Sequence, residues 1–575
     1  MAVATHLFHT ELRHLPTRGL RAVSSWQVLD GLGQVFAVER GDCSAGDRSP
    51  PGQEAPRVDL FVSQSWSAGR WQKTLGLCYH LNYTLAVTAS MFTYAAAAVM
   101  LLLHAGSVSQ LAGSPLIYPL TVDLPLTVFF LMFFFGHVLT CGCLSPSIWV
   151  DKLCIPQGDE AIKEKYVRAL PDFVQRCSTM LVLWDATYFE RLFCNMELAV
   201  FLKYQSGRHL VVLPLWLPPW LLLAVLFDWV SVRCLVFRLL GWAQGFFLNL
   251  PLPASYPHLE ALLRVLLYTL VTGCAYLPAG VAAAISFSMK LKQHGEMLER
   301  LASFDVRYAK CTVGADRPII EATIAQLYDE IDDLPISVAV EVPEVAAAAA
   351  VSRQDSDQLL AHAEIIRDPV IRGLTSYPSQ EESLDAFNME VRGPLRTEII
   401  RQSGSATSLP LSVCTQAFAP FFFYICSSCF LDCDGLGGCA AALKAEGFDS
   451  FRTLLLVDID TMFFSCLSLT IIFPCILHAQ HWGFKRTRSP CAHACFAAAS
   501  TFLAYFYAFA LLGINGGNAV ALGTSGATPT WLLWTLSVGM FSVLQWFLIF
   551  YNQATPAPAA SCRTLLCDAK RMGLE

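Results

Sequence analysis

The sequence predicts an α/β domain joined to an all-α membrane bundle, and three observations lead to this fold class. Of the 575 residues, 54% are hydrophobic and 15% are charged, whereas a soluble domain usually carries about 25% charged residues. Several apolar segments reach the roughly 20 residues that a membrane-spanning helix needs. Elsewhere, short apolar segments alternate with helical patterns, which is typical of a parallel sheet covered by helices.

The composition excludes several classes of protein. Charge this sparse in so long a chain rules out an ordinary soluble enzyme and a disordered protein. The net charge of −7 provides no basic surface to neutralise phosphates, so we expect no nucleic-acid partner. The expected partner of much of the chain is instead the lipid bilayer, and the protein is predicted to be a multi-pass integral membrane protein.

The first part of the chain is predicted to enter the membrane through a hairpin. Residues 1–56 form an N-terminal tail that ends in a Gly-, Pro- and Ser-rich linker. Residues 57–67 alternate like a strand that runs into a loop, and 70–82 have a helical pattern. Residues 84–140 then contain two apolar spans, 84–104 and 116–140, which we predict to be a transmembrane hairpin.

Three more strands are predicted after this hairpin. Residues 147–157 and 179–184 are short apolar strands, and Leu210–Leu217 is a buried strand that Pro218 and Pro219 stop. Helical patterns at 159–176 and 190–204 separate them. The segments 57–83 and 141–219 should therefore form one cytosolic α/β domain, split by the hairpin.

The remaining chain is predicted to hold six further spans, so that the bundle has about eight helices. The stretch 209–250 is too long for one span, and we place one crossing after its strand; two crossings are the alternative. Residues 220–288 thus hold two helices, 289–410 a cytosolic helical region with a flexible insert, 411–552 four helices and 553–575 a C-terminal tail. The later spans are predicted at 265–288, 411–430, 454–477, 493–515 and 529–552.

The basic residues favour this topology with both termini in the cytosol. Cytoplasmic flanks of membrane proteins are enriched in Lys and Arg, and three of the predicted outside loops contain neither residue: 105–115, 248–257 and 516–528. A second crossing within 209–250 would move the basic region 289–410 to the outside. One crossing is therefore preferred.

Polar residues follow the predicted strands, where parallel sheets bind ligands. Ser63, Ser65 and Trp66 follow the first strand, and Asp151 ends the second. Each has a structural alternative, since Trp66 could serve packing and Asp151 could cap the next loop. We assign no metal, because Cys154 and Cys194 share no ligand spacing with any histidine.

Three segments together resemble the first half of a TIR (Toll/interleukin-1 receptor) domain. They read FVSQSW from Phe61, WVDKLCIPQ from Trp149 and TMLVLWDATYFERLFCNMELAVF from Thr179. The second is also similar to fungal heterokaryon-incompatibility domains, which are proposed relatives. The chain departs from the family at Phe193, where tryptophan is usual, and in its shortened later strands.

This resemblance implies a flavodoxin-like parallel sheet and two kinds of activity. One is signalling by self-association, as a homo-oligomer or with TIR-like partner domains. The other is cleavage of NAD at its nicotinamide bond, with NAD as substrate and no permanently bound cofactor. The resemblance makes Glu197 the catalytic residue and places the nucleotide near Ser63, Ser65, Trp66, Asp151 and Tyr188. The alternative for Glu197 is a surface glutamate on an amphipathic helix.

Two other functions remain open at this point. Ionisable residues in or beside the predicted spans favour a transporter or channel whose soluble domain senses a nucleotide. These residues are Asp228, Arg233, Arg238, Asp458 and Asp460. The other function that remains open is that of a membrane scaffold with a catalytically inactive TIR-like domain.

Overall fold

The computed structural model describes thirteen stretches of the chain: residues 20–37, 52–103, 117–140, 145–155, 165–166, 169–204, 209–234, 257–311, 314–329, 379–432, 451–486, 489–525 and 529–554. Within them the protein is mostly helical and carries one mixed sheet of six strands. The strands are β1 (Arg21–Ser24), β2 (Gln53–Glu54), β3 (Val58–Gln64), β4 (Ser147–Trp149), β5 (Cys177–Trp184) and β6 (His209–Pro214).

The α-helices fall into two sets. Those connected with the sheet and the hairpin are α1 (Ser25–Gly33), α2 (Arg70–Leu103), α3 (Leu124–Leu139), α4 (Asp151–Cys154), α5 (Leu170–Gln175) and α6 (Leu192–Lys203). The later ones are α7 (Leu217–Cys234), α8 (Pro257–Ala275), α9 (Leu277–Ala302), α10 (Arg317–Leu327), α11 (Gln380–Glu390), α12 (Arg396–Ser403), α13 (Leu411–Ala417), α14 (Ala419–Asp432), α15 (Phe451–Thr470), α16 (Ile472–Arg486), α17 (Pro490–Ser525) and α18 (Pro529–Ala554).

The four predicted strands are present and pair in parallel. The sheet order is β2-β1-β4-β3-β5-β6, with β4, β3, β5 and β6 parallel to their neighbours. Along the chain these four are second, first, third and fourth, which is how a flavodoxin-like sheet begins. The strand β3 lies in the middle and is buried except at Asp59. Across β3 and β4, the rings of Phe61 and Trp149 stack with centroids 4.3 Å apart.

The predicted N-terminal tail contributes to this sheet, which is a difference from the sequence analysis. The strand β1 pairs antiparallel with β4 and with β2, so the sheet is mixed rather than entirely parallel. The two added strands have four and two residues, too few for a recognisable alternation. By pairing with β4 they cover an edge whose backbone groups would otherwise be unpaired.

The first span is continuous with a helix of the α/β domain. The predicted helix 70–82 and the predicted span 84–104 form the single 34-residue helix α2, because no Gly or Pro occurs between residues 77 and 103 to end it. Its partner α3 returns to β4. Asn82 joins the two, since its Nδ2 donates to the Phe133 carbonyl at 2.9 Å and lies 3.1 Å from His137 Nδ1.

Six helical segments of the described residues are long and apolar enough to cross a membrane, and a bent pair makes a seventh. The six are Arg70–Leu101, Pro119–Leu139, Leu217–Cys234, Ile459–Arg486, Pro490–Ala519 and Leu532–Tyr551, and the bent pair is Val265–Ala275 with Leu277–Ala302. The protein is accordingly a membrane protein by the length and composition of its helices.

The predicted span 411–430 is not among these segments. It consists of two shorter helices, α13 and α14, which meet at Phe418. Pro420 follows directly, and proline cannot donate the backbone hydrogen bond that would continue α13. Residues 235–256 lie outside the described residues, so one crossing in 209–250 stays a prediction.

The region 289–410 packs against the α/β domain. The side-chain amide of Gln402 in α12 forms two hydrogen bonds with the edge strand β6. Its Nε2 donates to the Leu210 carbonyl and its Oε1 accepts from Val212 N, both at 2.8 Å. On α9, Arg300 donates to the Ala186 carbonyl and to Glu190. The predicted flexible insert lies outside the described residues.

Candidate functional site

Three of the predicted site residues meet in one hydrogen-bonded group at the carboxyl edge of the sheet. Ser63 comes from the end of β3, Tyr188 from the turn after β5 and Glu197 from α6. The Ser63 hydroxyl donates to Glu197 Oε2 at 2.5 Å, and its Oγ lies 2.7 Å from the Tyr188 hydroxyl. We call Ser63, Tyr188 and Glu197 the buried triad.

The helix α6 holds Glu197 inside the domain. Nine of its twelve residues are buried, because the sheet, α5 and α10 surround it. Glu197 is 4% exposed, so the alternative of a surface glutamate is wrong. The segment LFCNMELAVF is apolar on every side, which is the signature of a fully buried helix.

Burial determines the charge of the triad. Desolvation raises the pKa of Glu197 well above its usual range, and the Asp151 charge raises it further, while the Ser63 hydroxyl opposes the shift. Burial also raises the pKa of Tyr188. Burial therefore favours the neutral forms of Glu197 and Tyr188, whereas stabilising a cationic ribose requires the ionised carboxylate.

Asp151 and Trp66 form a second contact on the same edge. The Trp66 indole N–H donates to Asp151 Oδ2, and Gln64 Nε2 lies 3.4 Å from Asp151 Oδ1. Asp151 also accepts a hydrogen bond from the backbone of Lys152, but the N-cap residue of α4 is Val150, so the capping alternative for Asp151 stays open. Trp66 is 48% exposed, which does not agree with a packing role.

Ser65 belongs to a third, hydroxyl-rich contact. Its Oγ lies 2.8 Å from Thr187 Oγ1 and 2.7 Å from Ser67 Oγ. Thr187 in turn donates to Asp185 at 2.7 Å. Burial raises the pKa of Asp185, and its bonds with Thr187 oppose that shift. The six predicted residues thus share one edge of the sheet but occupy three separate contacts.

The sequence analysis missed Lys73 and Asp185. Lys73 lies in the first turns of α2 and is 2% exposed, near the charges of Asp151 and Asp185. A signal existed for Asp185, because it follows β5 directly as Asp151 follows β4. Lys73 has no such signal, since its burial depends on where α2 lies on the sheet.

Two of the charged residues in or beside the candidate spans, Asp228 and Arg233, join helical segments. Asp228 accepts from the Tyr276 hydroxyl at 2.7 Å and from Phe421 N at 2.9 Å, linking three helical segments. Arg233 pairs with Asp123. The cavity that Asp228 lines measures about 50 Å³. Arg238 and the side chain of Asp458 lie outside what the structure describes.

Comparisons with protein-family models, with curated proteins and with solved structures found no match in any of the three. Among the described residues, no group of three or more His, Cys, Asp or Glu side chains is placed to hold a metal ion.

Proposed function

We propose that this is a multi-pass membrane protein whose TIR-like domain signals by self-association beside the membrane. The parallel order of β4, β3, β5 and β6 supports the resemblance. The observation that carries the choice of assembly over catalysis is the burial of Glu197. Glu197 is 4% exposed, and its carboxyl group accepts a hydrogen bond from Ser63, so a nucleotide would reach it only after the domain rearranges.

Two exposed tryptophans support a docking surface near the same edge. Trp66 follows β3 and Trp71 lies in the first turn of α2, and they are 48% and 58% exposed. Exposed apolar side chains that form a contiguous patch mark interaction sites, and tryptophan is enriched among residues that dominate binding energy. A second copy of the domain is the occupant that signalling by self-association requires.

The test measures association of the full-length protein in detergent micelles by mass photometry over a range of concentrations. The double variant Trp66→Ser/Trp71→Ser should weaken association about tenfold or more. Trp26→Ser is the matched control, because Trp26 is equally exposed, at 56%, but lies on α1. Unchanged association of the double variant, or an equal loss in the control, contradicts this proposal.

A second candidate function is hydrolysis of NAD through Glu197, favoured by the position of the carboxyl group at the ligand-binding edge. Water would add to the ribose carbon, nicotinamide would leave with the electrons of the broken carbon–nitrogen bond, and one proton would be released. An ionised Glu197 would stabilise the oxocarbenium-like ribose.

Release of nicotinamide from NAD by the purified full-length protein tests this second function. Glu197→Gln should abolish the release, while Glu190→Gln should retain it, because Glu190 pairs with Lys310 and Arg300 away from the triad. Absence of release from the wild-type protein, in its monomeric and associated forms alike, rejects hydrolysis and leaves the self-association proposal standing.

A further inference from the structure

A large cavity lies between helices of the membrane bundle, away from the α/β domain's carboxyl edge. It has a volume of about 1000 Å³ and is lined by the bent pair α8–α9, by α16 and by α17. Small residues make this space: a Cβ at Gly280 would have only Thr501 Cγ2 within 4 Å, at 3.8 Å, and one at Gly273 would meet nothing. Cavities of this volume accommodate ligands at least as large as a drug molecule.

Most of the cavity wall is apolar and open towards the surrounding lipid. Val281 and Ile285 of α9 and Phe502 of α17 line the cavity and are exposed. Along α9, the lining runs from Tyr276 to Lys292, which is about 24 Å at the rise of an α-helix. This exceeds the roughly 15 Å of hydrocarbon in one leaflet, so the cavity is long enough for an acyl chain.

One end of the cavity is basic. Lys292, His481, Lys485 and His493 lie there, and the described residues that line the cavity include no aspartate or glutamate. Lys292 and Lys485 are exposed at this end, and within the described part of the chain neither forms an ion pair. The apolar wall and the basic end together match the two halves of an acidic lipid.

The basic end lies on the side of the bundle that contacts the α/β domain. Two residues beyond Lys292, His294 packs against Trp184 at the end of β5, with ring centroids 5.5 Å apart. A bilayer around the bundle would therefore have the headgroups of one leaflet near these lysines, beside the α/β domain. Lysines in this position attract anionic lipids.

We propose that this cavity binds one anionic phospholipid, with an acyl chain along the apolar wall and the phosphate between Lys292 and Lys485. The acyl chain of a zwitterionic lipid of the same length packs against the apolar wall equally well. Its phosphate, however, lies beside the positive charge of its own headgroup, so the two lysines attract it less. The site therefore selects lipids by headgroup charge. This inference is independent of the proposed signalling function, because none of the residues that line the cavity belongs to the α/β domain.

The test titrates the full-length protein in detergent with dioleoyl phosphatidylglycerol or dioleoyl phosphatidylcholine and counts bound lipids by native mass spectrometry. The wild-type protein should bind one phosphatidylglycerol more tightly than any phosphatidylcholine. Lys292→Ala/Lys485→Ala should weaken the first phosphatidylglycerol about 30-fold, at about fivefold per lysine near a membrane surface. Its matched control is Lys165→Ala/Arg486→Ala, which removes the same charge from exposed residues outside the lining and should change binding less than about threefold.

A second variant tests the apolar wall. Gly280→Leu would place its side chain in the cavity, so it should abolish binding of the first lipid while the protein remains monodisperse on size exclusion. If that variant does not fold, the lysine variants decide the question, because their side chains are exposed. Equal affinity for the two lipids, or equal losses in the two double variants, overturns the proposal.

Discussion

Removal of the Ser63 hydroxyl should destabilise the α/β domain strongly, because this group binds two buried partners at once. Ser63→Ala leaves both the Glu197 carboxyl and the Tyr188 hydroxyl without the bond that the structure gives them. Each buried polar group left unsatisfied costs about 1–3 kcal/mol. A loss of about 3 kcal/mol in the free energy of unfolding is expected, after the two groups relax towards each other.

Urea unfolding in detergent micelles measures this loss. Tryptophan fluorescence follows the unfolding, and two of the 13 tryptophans, Trp149 and Trp184, are buried within the sheet. Ser67→Ala is the control, because Ser67 is exposed and its two hydroxyl partners, Ser65 and Thr187, are also bonded to each other. The loss of this hydroxyl should therefore cost about 1 kcal/mol or less. The double variant Ser63→Ala/Glu197→Met should regain about 1 kcal/mol or more, because it also removes the orphaned carboxyl. A Ser63→Ala protein as stable as the control would refute a bonded, buried triad.

Two further predictions concern single residues. Glu197→Gln should gain stability over the wild type as the pH rises above about 4.3, the ordinary pKa of a glutamate. The pKa of Glu197 is raised in the folded protein, so the carboxyl group of the unfolded chain loses its proton first and the wild type loses stability as the pH rises. Glutamine does not titrate, so the variant does not lose stability in this way. Stability profiles of the two proteins that run parallel between pH 4 and 7 in urea unfolding would contradict this prediction. Gly33→Ala should cost about 2 kcal/mol or more in the same assay, because Gly33 has φ of +71° and an added Cβ would lie 2.1 Å from Thr74 Oγ1. Gly314→Ala, where a Cβ meets nothing within 4 Å, should change stability by less than about 1 kcal/mol, and equal effects at both glycines would argue against strain at Gly33.

The central strands could be predicted from sequence because their burial is continuous. The segments DLFVS, IWV and TMLVLW are uninterrupted runs of β-branched, aromatic and aliphatic residues between polar ends, and such runs indicate buried parallel strands. By contrast, β1 and β2 are defined by the partner that they pair with rather than by their own residues. No local pattern in Gln53–Glu54 indicates a strand.

The sequence indicated which residues lie at the candidate site but not that Glu197 is buried there. Position at the strand ends predicted that Ser63 and Asp151 lie at one edge, since the carboxyl ends of parallel strands meet there. Glu197 was expected at this edge only from the resemblance to TIR domains. The burial of Glu197 depends on α10, more than a hundred residues further along the chain, and such long-range packing leaves no local pattern. The apolar character of α6 on all sides was the signal that an amphipathic interpretation overlooked.

Because α2 is unbroken, a change in its tilt within the bilayer would move the residues at its Arg70 end. Its 34 residues make a rod about 51 Å long, with Arg70 beside the carboxyl edge of the sheet and Leu103 at the far end of the hairpin. Transmembrane helices change their tilt when hydrocarbon thickness changes. A tilt of about 10° around one end of such a rod moves the other end by about 9 Å. In the proposed self-association, local membrane thickness would thereby set the height and angle at which Trp66 and Trp71 face a second copy of the domain.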